Sequence, residues 1–366
     1  MERNFVQAIA YHSRGTGYIA RLASVLRAHL WLVAIILLYL AAAYLVARHH
    51  GLTQSMSVSI YGFLVPQMTG VYLFFFALFY LAYVMVVVRP ARLIRHLVTD
   101  IQGNWLVTER LFGGLVIVLI QQVFFSIFTS MKAMIPVINP FSWDATLAEW
   151  DRTLHGGVDP WALMHPVIGY PLVTTVINFL YQCWLFVLFG ILVWQAFALN
   201  DQRLRMQFFV TLLVLWVLLG NVGATLLSSA GPVYFGRITG LEDPYQPLMS
   251  YLRAASEVSP VWVLEVHDRL WNAYVADSNQ LGKGISAMPS IHVATSVLFA
   301  LTTWRVSRLL GAVFWGYAAV VMVGSVHLAW HYALDGYVAA VATCLLWLGA
   351  GWLTAHEGAP AVGLPP

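Results

Sequence analysis

Two short stretches hold the residue types that do chemistry. Pro289, Ser290 and His292, in "AMPSIHVATSVLF", stand where an apolar helix begins. About forty residues on, His331 and Asp335, in "HYALDGYVAAVA", stand at the head of another. An imidazole titrates near neutrality, so it can attack, accept a proton or donate one. A carboxylate beside it fixes its tautomer and stabilises its charged form, leaving the opposite nitrogen free to react. His331 and Asp335 are four apart, which at a helix start predicts one face. Asp335 is also the one acidic residue expected inside an apolar run, where an ionisable group is costly and marks function by default. Each feature has a bland counterpart. A lone His at a helix end is more often a satisfied interfacial side chain, and a His/Asp pair at this spacing is as readily a structural bond. Together, with Pro-Ser before the first His, they outweigh those readings.

The elements that must position these residues are membrane helices. Of the 366 residues 60% are hydrophobic and 10% charged, against about 25% charged in soluble domains. Apolar runs long enough to cross a bilayer fall near 28–47, 65–88, 111–131, 171–199, 207–229, 289–304, 310–328 and 331–353, the sixth being short. The expected fold is therefore all-α: a polytopic integral membrane bundle of about eight transmembrane helices. Residues 1–27 read as a cytoplasmic N-terminal arm, amphipathic or merely floppy. Residues 28–110 read as two transmembrane helices with an inner loop, 111–354 as a six-helix catalytic core, and 355–366 as a disordered tail. Twelve of the 19 basic residues fall in the arm and the short loops of one side, which predicts both termini in the cytoplasm. The longer connections, 132–170 and 230–288, then lie on the outer face, and so do His292, His331 and Asp335. Cys183 and Cys344 sit inside runs and read as packing residues. No basic run with interleaved aromatics supports nucleic-acid binding.

"Pro289-Ser290-Ile291-His292" resembles the Pro-Ser-x-His motif of the type 2 phosphatidic acid phosphatase superfamily, and "His331-Tyr332-Ala333-Leu334-Asp335" resembles its His-x-x-x-Asp motif. The His-Tyr-x-x-Asp form is most similar to the branch containing inositol phosphorylceramide and sphingomyelin synthases. The resemblance covers spans three to eight and leaves the first two outside the six-helix core. It implies a metal-free, cofactor-free phosphoryl transfer on a membrane lipid. His331 would attack phosphorus, Asp335 orient it and His292 serve as acid and then base. Arg237 in "SSAGPVYFGRITG", the Ser290 hydroxyl and amides of the helix start would hold the phosphate oxygens. The sequence departs from the family's first motif, Lys-x6-Arg-Pro: Ala230 and Ile238 stand where Lys and Pro are expected. Lys283 and Lys132 are on the right side to supply the missing cation, although each also reads as an interface lysine. Lys132 begins an echo of the first motif, "KAMIPVINP", in the wrong loop.

The acceptor is water in a lipid phosphatase and an alcohol, of ceramide-like type in the branch resembled, in a transferase. The Trp- and Asp-rich segment "PFSWDATLAEWDRTLHGGVDPW" and residues 241–280 could cap a headgroup site; an interfacial helix anchored by Trp143, Trp150 and Trp161 is the plainer reading. Two rivals stand beside the enzyme. His327, His331 and Asp335 recur every four residues and could ligate a metal. Eight spans with one buried Asp would also suit a lipid transporter or flippase, although carriers bind near the midplane. Oligomeric state is open.

Overall fold

Backbone N–H and C=O groups in lipid must be satisfied within their own segment, which for runs of this length leaves the helix. The computed structural model describes residues 18–276 and 284–356, and all regular structure among them is helical. The chain opens with α1 (Tyr18–Ala28), α2 (Leu30–His49), α3 (Leu64–Tyr83) and α4 (Leu93–Asp100). It continues through α5 (Thr108–Ile138), α6 (Asp144–Leu154), α7 (Pro160–Ile168), α8 (Pro171–Gln182) and α9 (Trp184–Phe197). After α10 (Gln202–Val217) come three short helices, α11 (Phe235–Thr239), α12 (Gln246–Val258) and α13 (Val263–Val275). The last three are α14 (Ile291–Val306), α15 (Arg308–His327) and α16 (Ala333–Leu353).

Seven helical segments among the described residues are long and apolar enough to cross a membrane, and the 16-residue α14 is a shorter eighth. The protein is thus a multi-pass, all-α membrane protein, as composition predicts. The short span has a physical reason. α14 is the central helix, packed against α15, α16, α10 and α9, and it meets little lipid along its length. Its polar side chains are small and bond back to their own helix: Thr295 to Ile291 O, Ser296 to His292 O, Thr302 to Leu298 O and Thr303 to Phe299 O. Such pairing lets Ser and Thr be buried without orphaned hydroxyls. Small residues also let neighbouring backbones come close.

The first two spans are not detached from the rest. α2 packs on α5 and α10, and α3 packs on α9 and α5. Their connection is pinned to α5: Ser57 N donates to Ser130 Oγ at 3.1 Å and Tyr61 N to Ser126 Oγ at 3.0 Å. Of the N-terminal arm, α1 is described and packs against α5, with Val25 buried; residues 1–17 lie outside the described residues, as does the tail beyond His356.

Candidate active site

The chain reverses between α15 and α16 in a tight turn. Ala329 takes φ +60°, and the N–H groups of Trp330 and His331 both donate to Ser325 O at 3.0 Å. α16 begins only at Ala333, with Tyr332 as its N-cap. His331 therefore precedes the helix and does not share a face with Asp335, contrary to the four-residue spacing. They meet through the cap. Asp335 Oδ2 accepts the Tyr332 N–H at 3.0 Å and His331 Nδ1–H at 3.3 Å. Asp335 is fully buried and its second oxygen, Oδ1, has no partner among the described residues. Nδ1 so occupied leaves Nε2 of His331 for other work.

The second motif is tied to the same turn. Ser290 N donates to Asp335 O at 3.3 Å. The Ser290 hydroxyl is buried and accepts Val293 N–H at 3.4 Å, capping α14. It is occupied at the helix start rather than lining open space. His292 follows one residue into the helix. Its ring stacks on Tyr181 at 5.0 Å between centroids and lies tilted against Trp184 at 4.2 Å between centroids. The His292 and His331 rings are 6.2 Å apart.

Both imidazoles line a cavity of about 1160 Å³. Its walls change character with depth. Lys132, His292, His331 and Trp330 line one part, with Glu265, Asp268 and Arg269 of α13 beside them. Phe125, Phe128, Leu188, Phe189 and Trp216 line another, and Tyr61, from the α2–α3 connection, joins the wall. Phe125 is seven residues before Lys132 on α5, about 10 Å along the axis. The cavity therefore joins a polar chamber to an apolar limb running along α5 and α9.

The other expected residues fall elsewhere. Arg237 does not line this cavity; it is exposed, with its guanidinium 5.0 Å over the Trp271 ring. The reason lies in the loop before it. Gly231 takes φ +95°, and a Cβ there would meet Trp330 O at 2.5 Å. From that turn Tyr234 enters the wall, its hydroxyl donating to His267 O, while Arg237 on the next turn leaves it. Lys283 lies outside the described residues. His327 is buried but pairs with Thr174 Oγ1 at 2.8 Å and does not line the cavity. Because α15 ends at His327, the stripe of His327, His331 and Asp335 does not lie on one helix. Among the described residues no group of three His, Cys, Asp or Glu is disposed to hold a metal.

Two carboxylates escape a sequence reading altogether. α6 buries Asp144 and Asp151 on one face with Leu147 and Ala148. Asp144 Oδ2 accepts Ala230 N–H, and its Oδ1 accepts Gly231 N–H and the Tyr332 hydroxyl, each at 2.8 Å. Asp151 accepts the N–H groups of Ala333 and Leu334 at 3.0 Å, satisfying two free donors of α16. Burial pushes both carboxyls above the usual range, against these donors, which favour the charged form. The signal was present: acids at positions 144 and 151 share the face of Leu147 and Ala148, where a surface helix would place them opposite.

Fold and site together define a polytopic helical membrane protein with His292 and His331, the latter bonded to Asp335, on the wall of a part-apolar cavity. Residues 145–350 match the family model of the PAP2 superfamily, more than half of the chain, and the protein belongs to that superfamily. No curated protein and no solved structure matches the chain.

Proposed function

We propose that the protein is a lipid phosphotransferase or phosphatase acting, without metal or cofactor, on a phospholipid headgroup phosphate at the outer (periplasmic or lumenal) face of the membrane. Membership of the superfamily supports phosphotransfer in general. The observation that carries the reading is the pair of imidazoles 6.2 Å apart at the polar end of a cavity whose other end is apolar. A phosphorus atom between them sits about 3 Å from a nitrogen of each, and the lipid chain has a limb to enter.

In this mechanism Nε2 of His331 attacks phosphorus while the bond from phosphorus to the lipid oxygen breaks. His292 donates its proton to that departing oxygen. Asp335, bonded at Nδ1, balances the charge gained by His331. Tyr181 and Trp184 pack against the His292 ring and fix its orientation. Water or an alcohol then attacks the phosphohistidine; neutral His292 takes its proton, and the phosphorus–nitrogen bond breaks. Ser290 contributes by fixing the start of α14.

The His331-Tyr332-x-x-Asp335 form favours the branch resembling inositol phosphorylceramide synthases, and with it an alcohol acceptor such as a ceramide-like lipid. The test is to incubate purified protein with headgroup-labelled phospholipids, with and without alcohol acceptors, in the presence of a chelator. Transfer or release that survives chelation supports the proposal. Activity lost to chelator and restored by a divalent metal contradicts it.

A further inference from the structure

We propose that Lys132, from the third span, is the cation that holds the nonbridging oxygens of the phosphoryl group between His292 and His331. The inference rests on the phosphotransfer reading above and deepens it. The resemblance places a cation at Arg237, with Lys283 and Lys132 on the right side to supply another. In the structure Arg237 lies outside the cavity, and Lys132 lines it together with both histidines.

Three observations converge. Lys132 stands six residues before the end of α5, within a membrane-spanning helix, where an ammonium is costly unless an anion or water compensates it. Among the described residues it has no ion-pair partner; Glu265 and Asp268 line the same cavity but neither is bridged to it. Its stem is also held against the second motif. Gly284, at φ +125°, packs so closely that a Cβ there would lie 2.9 Å from Lys132 Cγ and 3.0 Å from its carbonyl carbon. The chain leading to Pro289 thus starts against Lys132, and Lys132 and Pro289 line the same cavity. A snorkelling interfacial lysine would instead lead its head away from the chamber. An ammonium is a point charge with three donors, suited to a tetrahedral oxyanion whose oxygens shift during transfer.

Full-length protein in nanodiscs is titrated with three probes: orthovanadate, a phospholipid and a diacylglycerol that lacks phosphate. Tryptophan fluorescence reports binding, since Trp184, Trp216 and Trp330 line the cavity. Lys132→Gln is expected to weaken orthovanadate and phospholipid about 10- to 100-fold, the scale of one hydrogen bond to a charged group. Diacylglycerol affinity is expected to stay within about threefold, since its binding rests on apolar burial alone. Lys132→Arg, which keeps the charge and guards against misfolding, is expected to recover part of the loss. Weakening of orthovanadate and phospholipid alike assigns the shared phosphate. Weakening of phospholipid alone would place Lys132 on the headgroup and overturn the proposal. Unchanged orthovanadate affinity in Lys132→Gln, while His331→Ala still abolishes transfer, would remove Lys132 and leave the function standing. A native protein that bound neither oxyanion nor phospholipid would overturn both.

Discussion

At the scale of single residues, the proposed mechanism divides labour between groups that touch phosphorus and groups that aim them. His292→Ala is expected to lower turnover by ~10²–10⁴-fold, because a lipid alkoxide is a poor leaving group without a proton. Asp335→Asn is expected to lower turnover strongly with little change in substrate affinity. The amide still accepts Tyr332 N–H but no longer balances an imidazolium. Steady-state kinetics of the two single variants and the double variant check both statements. The double variant should cost less than the product of the single losses, since the residues act as one unit. Multiplicative losses would mean that the two residues work independently. His292, His331 and Asp335 were legible in the sequence because their residue types and order limit the chemistry. Their geometry was not, since a helix cap brings His331 to Asp335 and sequence spacing had suggested a helix face.

At the scale of elements, the apolar run of each span is long, and the runs survive in the fold. What carries little periodic signal is the short helical material between spans, and there the sequence reading was thinnest. Arg237 was expected in the site from the resemblance to the family's first motif, yet from the turn at Gly231 it is Tyr234 that enters the wall. The segment of α6 read either as a cap over a headgroup site or as an interfacial helix anchored by tryptophans; in the structure it braces the start of α16. Asp151→Ala removes the acceptor of two N–H groups at the start of α16. We expect it to cost about 2–6 kcal/mol of stability, at about 1–3 kcal/mol for each orphaned donor, and turnover to fall with it. Thermal unfolding in detergent measures the loss; an unchanged midpoint would show that water replaces the carboxylate. α13 makes a second prediction. His267 is buried against Trp330, neither ring nitrogen has a partner among the described residues, and burial, aided by Arg237, pushes its pKa down to about 3. Between that value and the ordinary 6.5 the unfolded chain binds a proton that the folded one does not. Stability is therefore full above about pH 6.5 and falls as pH drops, by roughly 1.4 kcal/mol per unit. Unfolding at pH 7 and pH 5 should differ by about 2 kcal/mol from this group alone, and His267→Phe should remove that difference. An equal acid sensitivity in His267→Phe would assign it to other groups.

At the scale of the whole molecule, the bundle serves two solvents. Its spans present apolar residues outward, and the start of α14 and the turn into α16 bring the two histidines together. The cavity crosses that division, with charged groups of α13 and Lys132 in one part and aromatic rings in the other. The distribution of Arg and Lys, a sum over many loops, puts the polar chamber on the outer side as an expectation. It predicts that Glu265→Cys, at the cavity wall, is labelled in intact cells by a membrane-impermeant maleimide. Labelling only after permeabilisation would invert the topology. The account's central claim, a covalent intermediate on His331, is tested most directly by trapping it. Protein incubated with a phospholipid labelled in its phosphate is quenched in denaturant at alkaline pH, where phosphohistidine endures, then digested and mapped. The account predicts acid-labile label on the peptide that contains His331, and none in His331→Ala. Label on any other residue, or turnover by His331→Ala at the native rate, would contradict it.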